Sequence, residues 1–282
     1  MSQILYGAPV AEALQRELSG RIETLRQKGI EPCLATVRAG EEPGSLSYER
    51  AALRVAENAG IQSRSLRLPA DSDTAAMVEL LRTVSADPTI HGCLLLRPLP
   101  AQMDEHTVCA ALCPEKDVDG VTDHSLRRVF VGSGAGFCPC TPEAVLALLD
   151  HYGVEPEGKR VTVVGRSLVV GRPLALLLTD RNATVTLCHR KSPDLPALCR
   201  AADILVAAAG STGLLRGEYV REGQIVIDVG TNRSAEGKLC GDVCFEEVEP
   251  RVAALSPVPG GVGSITTTIL MKHVIEAAEA LS

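Results

Sequence analysis

Aromatic residues are scarce in this chain of 282 residues: tryptophan is absent, and there are three phenylalanines and four tyrosines. Proteins that bind single-stranded nucleic acid stack bases on aromatic side chains and hold phosphates with clustered Lys and Arg. The sequence has no segment in which aromatic and basic residues are interleaved, and its formal net charge is -7. Scarce aromatics and negative charge together argue against a nucleic-acid surface.

Long apolar runs are also missing. A helix that spans a bilayer needs about 20 consecutive apolar residues, and no run approaches that length. Near the N-terminus, apolar residues recur at helical spacing with charged residues between them, at Val10, Leu14, Leu18, Ile22 and Leu25. This pattern predicts an amphipathic helix and not a signal peptide. We therefore expect a cytoplasmic protein with no membrane partner.

Ten cysteines are present, but their spacing is not that of a metal site. A structural zinc site usually combines one closely spaced Cys pair with a second matched pair. The pairs Cys109/Cys113, Cys138/Cys140 and Cys240/Cys244 do not meet that pattern. In a long chain without a secretory signal we expect reduced thiols and no bound metal.

Strand and helix patterns alternate along the chain. Apolar strand patterns occur at 33–37, 63–68, 92–96, 160–164, 183–188, 202–207 and 224–229, with helical patterns between them. Such alternation predicts an α/β fold with a doubly wound parallel sheet, and the length of the chain favours two domains. An irregular link follows residue 137, where Thr141 is predicted to cap a helix that has Pro142 as its first residue. We predict one domain over 1–138, completed by a returning helix over 266–282, and a second over 139–265.

The turn from Val164 to Pro173 follows a strand and opens a helix. Gly165 and Gly171 permit close backbone approach, and a helix N-terminus offers free N–H groups to a pyrophosphate. The spacing is not G-x-G-x-x-G, so the alternative is a glycine turn needed only for packing.

The next strand ends in His189-Arg190-Lys191. NAD-binding folds usually place Asp or Glu there to hold the ribose hydroxyls, whereas cations suit a 2′-phosphate. Together with Arg166, these residues predict NADP in preference to NAD. The alternative is an ordinary solvated basic turn.

Seven motifs carry a resemblance to one family. They are Tyr48 in its helix, Arg97-Pro98-Leu99-Pro100, Lys116-Asp117-Val118-Asp119-Gly120, Pro139-Cys140-Thr141-Pro142, Gly165-Arg166-Ser167 with Val170-Gly171-Arg172-Pro173, Val226-Ile227-Asp228-Val229-Gly230, and Pro257-Val258-Pro259-Gly260-Gly261-Val262-Gly263. With these motifs in order, the chain resembles, over nearly its full length, the methylenetetrahydrofolate dehydrogenase/cyclohydrolase family, the bifunctional FolD proteins of one-carbon metabolism. The resemblance implies an N-terminal α/β catalytic domain that binds tetrahydrofolate derivatives, a C-terminal Rossmann-like domain that binds NADP, and a homodimer.

The resemblance also implies roles for individual residues. Tyr48 is similar to the aromatic residue that stacks along folate, and Asp119 to the carboxylate that binds the amino edge of the pterin. Both roles suit the chemistry, since a carboxylate accepts two parallel N–H bonds and a phenol gives a flat platform. Tyr48 and Asp119 are thus the expected catalytic residues, with Leu96, Pro259, Gly260 and Gly261 as further substrate-binding residues. The expected cofactor-binding residues are Gly165, Arg166, Ser167, Gly171, Arg190, Lys191 and Thr231.

The departures from the family pattern concern hydrolysis. The family has Lys where this sequence has Ala52, and Gln where it has Leu96, and these two groups are associated with cyclohydrolase chemistry. Arg97 is the neighbour that could compensate, although strand alternation points it away from the face of Leu96. Smaller departures are Ser264, where Pro is usual, and His273, where Asn is usual.

We therefore expect an NADP-dependent methylenetetrahydrofolate dehydrogenase whose cyclohydrolase activity is in doubt. Two alternatives are a folate- or NADP-binding paralogue without catalysis, and a dehydrogenase that acts on another small substrate.

Overall fold

A computed structural model describes residues 2–234 and 236–281. Met1, Ala235 and Ser282, which the predicted domain ranges include, lie outside the described residues. The helices are α1 (Gly7–Gln27), α2 (Pro43–Ala59), α3 (Thr74–Ala86), α4 (Glu105–Cys109), α5 (Asp123–Val131), α6 (Cys140–His151), α7 (Gly171–Asp180), α8 (Leu195–Ala201), α9 (Phe245–Val248) and α10 (Val262–Ala280). Short 3-10 turns cover Pro114–Lys116, Gly217–Tyr219 and Glu249–Arg251.

The strands fall into two parallel sheets and one hairpin. They are β1 (Gln3–Ile4), β2 (Cys33–Ala39), β3 (Gln62–Leu68), β4 (Gly92–Leu95), β5 (Arg160–Val164), β6 (Thr184–Cys188), β7 (Ile204–Ala207), β8 (Ile225–Asp228), β9 (Asn232–Arg233), β10 (Leu239–Cys240) and β11 (Ala254–Leu255). The two strands of the hairpin, β9 and β10, pair antiparallel.

The chain divides into two compact units. The six-strand unit comprises Met1–Glu12 and Thr141–Thr266, and the three-strand unit comprises Ala13–Cys140 and Thr267–Ser282. The predicted first domain differs from the three-strand unit at its start, because β1 pairs with β11 and so groups the first residues with the six-strand unit.

The three-strand unit is built on a sheet of order β3-β2-β4, with all pairs parallel. Its central strand, β2, is buried over Cys33 to Arg38, as expected of a strand covered on both faces. On α3, Met77, Leu81 and Val84 stand at helical spacing and pack into the core with Leu95.

The six-strand unit has the strand order β1-β11-β8-β7-β5-β6, also parallel throughout. Val164 at the end of β5 is paired with Cys188 of β6 and Ala207 of β7, and Ala207 with Asp228 of β8. The carboxyl ends of these four strands are therefore level. Loops that follow level parallel strands lie at one edge of the sheet, where doubly wound folds bind ligands.

The residues around them fix the starts of helices α2 and α6. Helix α2 begins at Pro43, because the Glu42 carboxylate caps it by accepting the Ser45 N–H at 2.6 Å. Helix α6 begins at Cys140, so the prediction that Thr141 caps it is wrong. Proline is tolerated within the first turn because amides there lack an intrahelical acceptor.

Helix α10 begins at Val262 and not at Thr266. The Gly261 carbonyl accepts hydrogen bonds from both the N–H and the hydroxyl of Ser264, which extends the first turn backwards.

Within residues 2–234 and 236–281, none of the helices combines the length and apolar character that crossing a membrane requires.

Candidate active site

Tyr48 lies on α2, and the next residue, Glu49, fixes that helix on the sheet. Glu49 Oε2 accepts from Arg38 Nε at 3.0 Å, while Oε1 accepts from the hydroxyls of Thr36 at 2.7 Å and Ser65 at 3.0 Å. The ion pair is buried, with its side chains 6% and 5% exposed. A buried carboxylate with this many partners holds one arrangement, so the direction in which α2 presents Tyr48 is set by the residue beside it.

The two positions that depart most from the family pattern lie in the apolar interior. Ala52, one turn after Tyr48, is fully buried, and Leu96 is 3% exposed. Leu96 continues the sheet beyond β4, since its N–H donates to a carbonyl of β2 at 2.9 Å. The Ser45 hydroxyl donates to the Arg97 carbonyl at 3.1 Å and ties the start of α2 to the turn after β4.

Asp119 lies in a loop that its neighbours hold rigidly. The Lys116 ammonium is buried and donates to two carbonyls at the C-terminal end of α3, at 3.0 and 2.6 Å. The buried Asp117 accepts three hydrogen bonds, from Val121 N at 3.0 Å, Thr122 N at 2.8 Å and Ser125 Oγ at 2.6 Å. The carboxylate of Asp119 is thus carried by a loop fixed on both sides of it.

Tyr48 and Asp119 are brought together. The Tyr48 phenol hydrogen-bonds with the Asp119 carboxylate, and burial, reinforced by that carboxylate, raises the pKa of Tyr48 well above its ordinary value. Burial also raises the pKa of Asp119 to about 6, against the opposing charge of Arg97. Near neutral pH the pair is therefore a neutral phenol and a carboxylate.

Arg97 acts on this pair through its charge. Its side chain is 22% exposed and pairs with Glu105 at 2.9 Å. Its positive charge opposes the rise in the pKa values of both Tyr48 and Asp119.

Cys140 and His273 complete the surroundings of Asp119. The Cys140 thiol is buried, and its single proton is shared between the Val118 carbonyl, 3.2 Å from the sulfur, and the Asp119 carboxylate. His273 Nδ1 lies 2.8 Å from the same carbonyl and 3.6 Å from the Cys140 sulfur, and its ring stacks on Phe137 at 4.8 Å. The peptide that carries Asp119 is thus held by two side chains.

In the six-strand unit, the backbone of the turn after β5 packs so closely against its neighbours that two positions have no room for a Cβ atom. Gly165 has a φ of 131°, and a Cβ there would overlap the Ala208 carbonyl. A Cβ on Gly171 would overlap the Gly165 carbonyl, so α7 starts directly against the turn. Ser167 Oγ accepts the Val170 N–H at 3.1 Å, and no side chain caps α7. The fit of glycine to both positions suits a backbone cradle for phosphate.

The three predicted basic residues and Thr231 lie at the edge of the sheet that carries the turn after β5. Arg166 follows β5, Arg190 and Lys191 follow the adjacent β6, and Thr231 follows β8, all four being exposed. The turn after β6 is ordered by His189, whose Nδ1 accepts the Lys191 N–H at 3.1 Å. Every predicted cofactor-binding residue is therefore in the six-strand unit.

The glycine loop that contains Pro259, Gly260 and Gly261 also belongs to the six-strand unit. The Gly7 N–H donates to the Gly260 carbonyl at 2.8 Å, and the Ser264 hydroxyl donates to the Gly261 carbonyl at 2.7 Å. Ser264, at a position where the family usually has Pro, thus supplies a hydrogen bond that proline could not. Tyr48, Leu96 and Asp119 lie together in the three-strand unit.

Sequence reasoning assigned no role to Glu49, Cys140 or His273. Glu49 directly follows Tyr48 on α2, but its partners Arg38 and Thr36 lie on strand β2, and spacing does not reveal such pairings. A histidine where the family has Asn was the one available signal for His273.

Comparisons with known proteins agree with this geometry. Residues 5–119 match the tetrahydrofolate dehydrogenase/cyclohydrolase catalytic domain, and residues 139–282 match the NAD(P)-binding domain of the same family. The bifunctional protein FolD of Carboxydothermus hydrogenoformans is 45% identical over 100% of this chain and 99% of its own length.

Two solved structures are also similar over nearly the whole chain. The bifunctional FolD enzyme from Campylobacter jejuni is 37% identical with a TM-score of 0.96, covering 99% of each chain. The Trypanosoma brucei enzyme, solved with NADP and an inhibitor, is 36% identical with a TM-score of 0.94, covering 99% of this chain and 98% of its own. With two matching domains in order and relatives of this identity end to end, the chain belongs to the tetrahydrofolate dehydrogenase/cyclohydrolase family.

Proposed function

We propose that the protein is an NADP-dependent 5,10-methylenetetrahydrofolate dehydrogenase with little or no methenyltetrahydrofolate cyclohydrolase activity. The observation that carries the proposal is the hydrogen-bonded Tyr48–Asp119 pair, which is present, whereas Ala52, one turn after Tyr48, and Leu96 are apolar and buried. The groups suited to bind a folate are retained. The groups that would assist hydrolysis are replaced.

The residues of the six-strand unit fit a dinucleotide phosphate. Gly165 and Gly171 leave room for backbone only, so an anion can approach the backbone of the turn at the start of α7 closely. Arg166, Arg190 and Lys191 supply three cations near the turn, which suits a 2′-phosphate. When bound, NADP supplies the hydride acceptor for the reaction.

Oxidation of the substrate removes hydride from a carbon between two nitrogens and leaves a delocalised cation, with no proton transferred. The protein's task is orientation of the donor carbon. Asp119, ionised near neutral pH, accepts N–H bonds from the aminopyrimidine edge, and Tyr48 offers its ring face. Lys116 and Asp117 keep the Asp119 loop in place.

Hydrolysis of the methenyl cation differs because a water molecule must lose a proton and a tetrahedral intermediate must collapse. General acid–base assistance to such steps contributes typically about 10²–10⁴-fold. Neither Ala52 nor Leu96 can exchange a proton. A guanidinium has no acceptor atom, and that of Arg97 is paired with Glu105, so Arg97 cannot act as the base.

We further propose that the three-strand unit binds folate, that the six-strand unit binds NADP, and that the protein acts as a cytoplasmic homodimer. Sedimentation of the purified protein tests the last point. A monomer at working concentration would contradict it.

The deciding experiment assays the two reactions separately. NADP reduction with methylenetetrahydrofolate should be rapid, and loss of methenyltetrahydrofolate absorbance should barely exceed that in buffer. Absence of NADP reduction would favour a non-catalytic paralogue if folate still binds, and a dehydrogenase of another substrate if it does not. Rapid hydrolysis that survives Arg97→Ala would show that another group activates the water.

The double variant Ala52→Lys with Leu96→Gln should restore part of the hydrolysis. Ala52→Met with Leu96→Gln is the matched control, since Met has similar length and no charge. Equal hydrolysis by the two double variants would contradict the role given to the ammonium.

A further inference from the structure

A buried carboxylate in the six-strand unit gathers two loops at the edge where the dinucleotide is expected. Asp242 is fully buried and follows the β9–β10 hairpin. Its Oδ2 accepts the N–H groups of Ala209 at 2.6 Å and Gly210 at 3.0 Å, and its Oδ1 accepts those of Ser211 at 2.7 Å and of the Asn232 side chain at 2.8 Å. Three consecutive backbone amides after β7 thus converge on one side chain.

A second carboxylate lies directly behind the first. Asp228, at the end of β8, accepts the N–H groups of Gly230 at 2.9 Å, Asp242 at 3.0 Å and Val243 at 3.0 Å. A Cβ on Gly241 would overlap Asp228 Oδ2, so glycine is required for this approach. Asp228 therefore fixes the backbone of Asp242, and Asp242 fixes the loops.

The same arrangement reaches the phosphate turn. The residue before the three converging amides, Ala208, presents the carbonyl against which Gly165 packs. Asn232, which donates to Asp242, directly follows Thr231. The loops after β5, β7 and β8 are in this way set by contacts that end at one carboxylate.

We propose that Asp242, supported by Asp228, is a positioning residue of the dinucleotide site. It touches neither substrate nor cofactor, and it acts by holding the loops after β7 and β8 in the conformation that binds the dinucleotide. This inference rests on the proposed function, since it requires that the edge binds NADP.

An amide could not replace this carboxylate. Four donors converge on two oxygens, and Asn keeps one oxygen and presents an NH2 group to the remaining N–H donors. Asp242→Asn should therefore displace at least one of the two loops, although its volume is unchanged.

Asp203 provides a matched control in the same sheet. It also accepts hydrogen bonds from a backbone N–H, that of Arg160 at 3.0 Å, and from two guanidinium groups, but it precedes β7 at the amino edge. Asp203→Asn should lower stability without touching the loops at the carboxyl edge.

The test compares the two variants by calorimetric titration with NADP, thermal unfolding and steady-state kinetics. Asp242→Asn should weaken NADP binding by about 10- to 100-fold, because binding must then reorder loops that lack one or two internal hydrogen bonds to a charged group. It should also raise KM for NADP while KM for methylenetetrahydrofolate is unchanged. Asp203→Asn should lower Tm and leave NADP affinity as it is. If the unmodified protein binds NADP and Asp242→Asn binds it equally well, the inference is overturned.

If Asp242→Asn does not fold, the variant Asn232→Ala provides the test of the proposal. It removes one of the four donors and leaves the Asp242 carboxylate with its three backbone N–H donors. NADP affinity should fall by less than in Asp242→Asn, in a protein with near-normal Tm. Unchanged affinity in a folded Asn232→Ala variant would also count against the inference, whereas failure of the unmodified protein to bind NADP would refute the proposed function instead.

Discussion

Replacing Asp119 by Asn should stabilise the free protein while it impairs folate binding. The pKa of Asp119 is raised from 3.8 to about 6, mainly by burial. A raised carboxyl pKa means that ionisation costs folding free energy, fully above pH 6 and progressively less as the pH falls toward 4. A shift of about 2 units corresponds to about 3 kcal/mol, at 1.36 kcal/mol per unit.

The gain will be smaller than that figure because Asn accepts fewer hydrogen bonds. Asp119 has the Tyr48 hydroxyl and the Cys140 thiol as partners, and weakening these bonds should offset about 1 kcal/mol each. We expect net stabilisation of about 1 kcal/mol at pH 7.5, or a rise in Tm of about 2–4 °C. Folate affinity should fall about tenfold or more through loss of charge-assisted bonds.

Thermal unfolding at pH 7.5 and pH 5, followed by folate titration, provides the measurement. The stabilisation should shrink as the pH is lowered, because Asp119 then becomes protonated in the unmodified protein. Asp71→Asn, at an exposed site, is the control and should change neither quantity. A lower Tm for Asp119→Asn at pH 7.5, or the same shift at both pH values, would refute this reasoning.

Three further changes test other parts of the structure. Replacing Arg166 and Arg190 by Gln should narrow the preference for NADP over NAD by about 1–3 kcal/mol, and equal calorimetric affinities in the unmodified protein would contradict it. Gly171→Ala should abolish NADP binding because its Cβ would overlap the Gly165 carbonyl, with retained folate binding as the control; normal NADP affinity would show that the turn can open. Glu49→Ala should lower the free energy of unfolding by about 3–5 kcal/mol, since it leaves the buried Arg38 guanidinium without its carboxylate partner. Urea unfolding measures this loss. A loss below 1 kcal/mol, about the value of an exposed ion pair, would disprove the prediction.

The elements that sequence reasoning could predict are those with a long periodic signal. The strands at 160–164 and 184–188 match their predictions within two residues, because both are runs rich in β-branched residues. The strands β1 and β11 have two residues each, too few for any periodicity, and only their pairing within the sheet reveals them.

The residues of the candidate site also fall into those that the sequence could predict and those that it could not. Tyr48 and Asp119 stand in recognisable motifs, and both lie in the three-strand unit. The carboxylates that organise the loops could not be identified, because Asp242 receives its three backbone donors from residues about 30 positions earlier in the chain. Non-local hydrogen bonds leave no spacing pattern in one sequence.

The division of the chain between its units has a consequence for synthesis on the ribosome. The three-strand unit takes its last segment from beyond residue 266, where Val274 packs against Gly92 and Glu279 pairs with Arg21. That segment emerges only after all of the six-strand unit. The nascent three-strand unit must therefore wait, with the surface that α10 covers still exposed, while about 125 residues of the other unit are translated; at about 5–20 residues per second this interval lasts on the order of ten seconds.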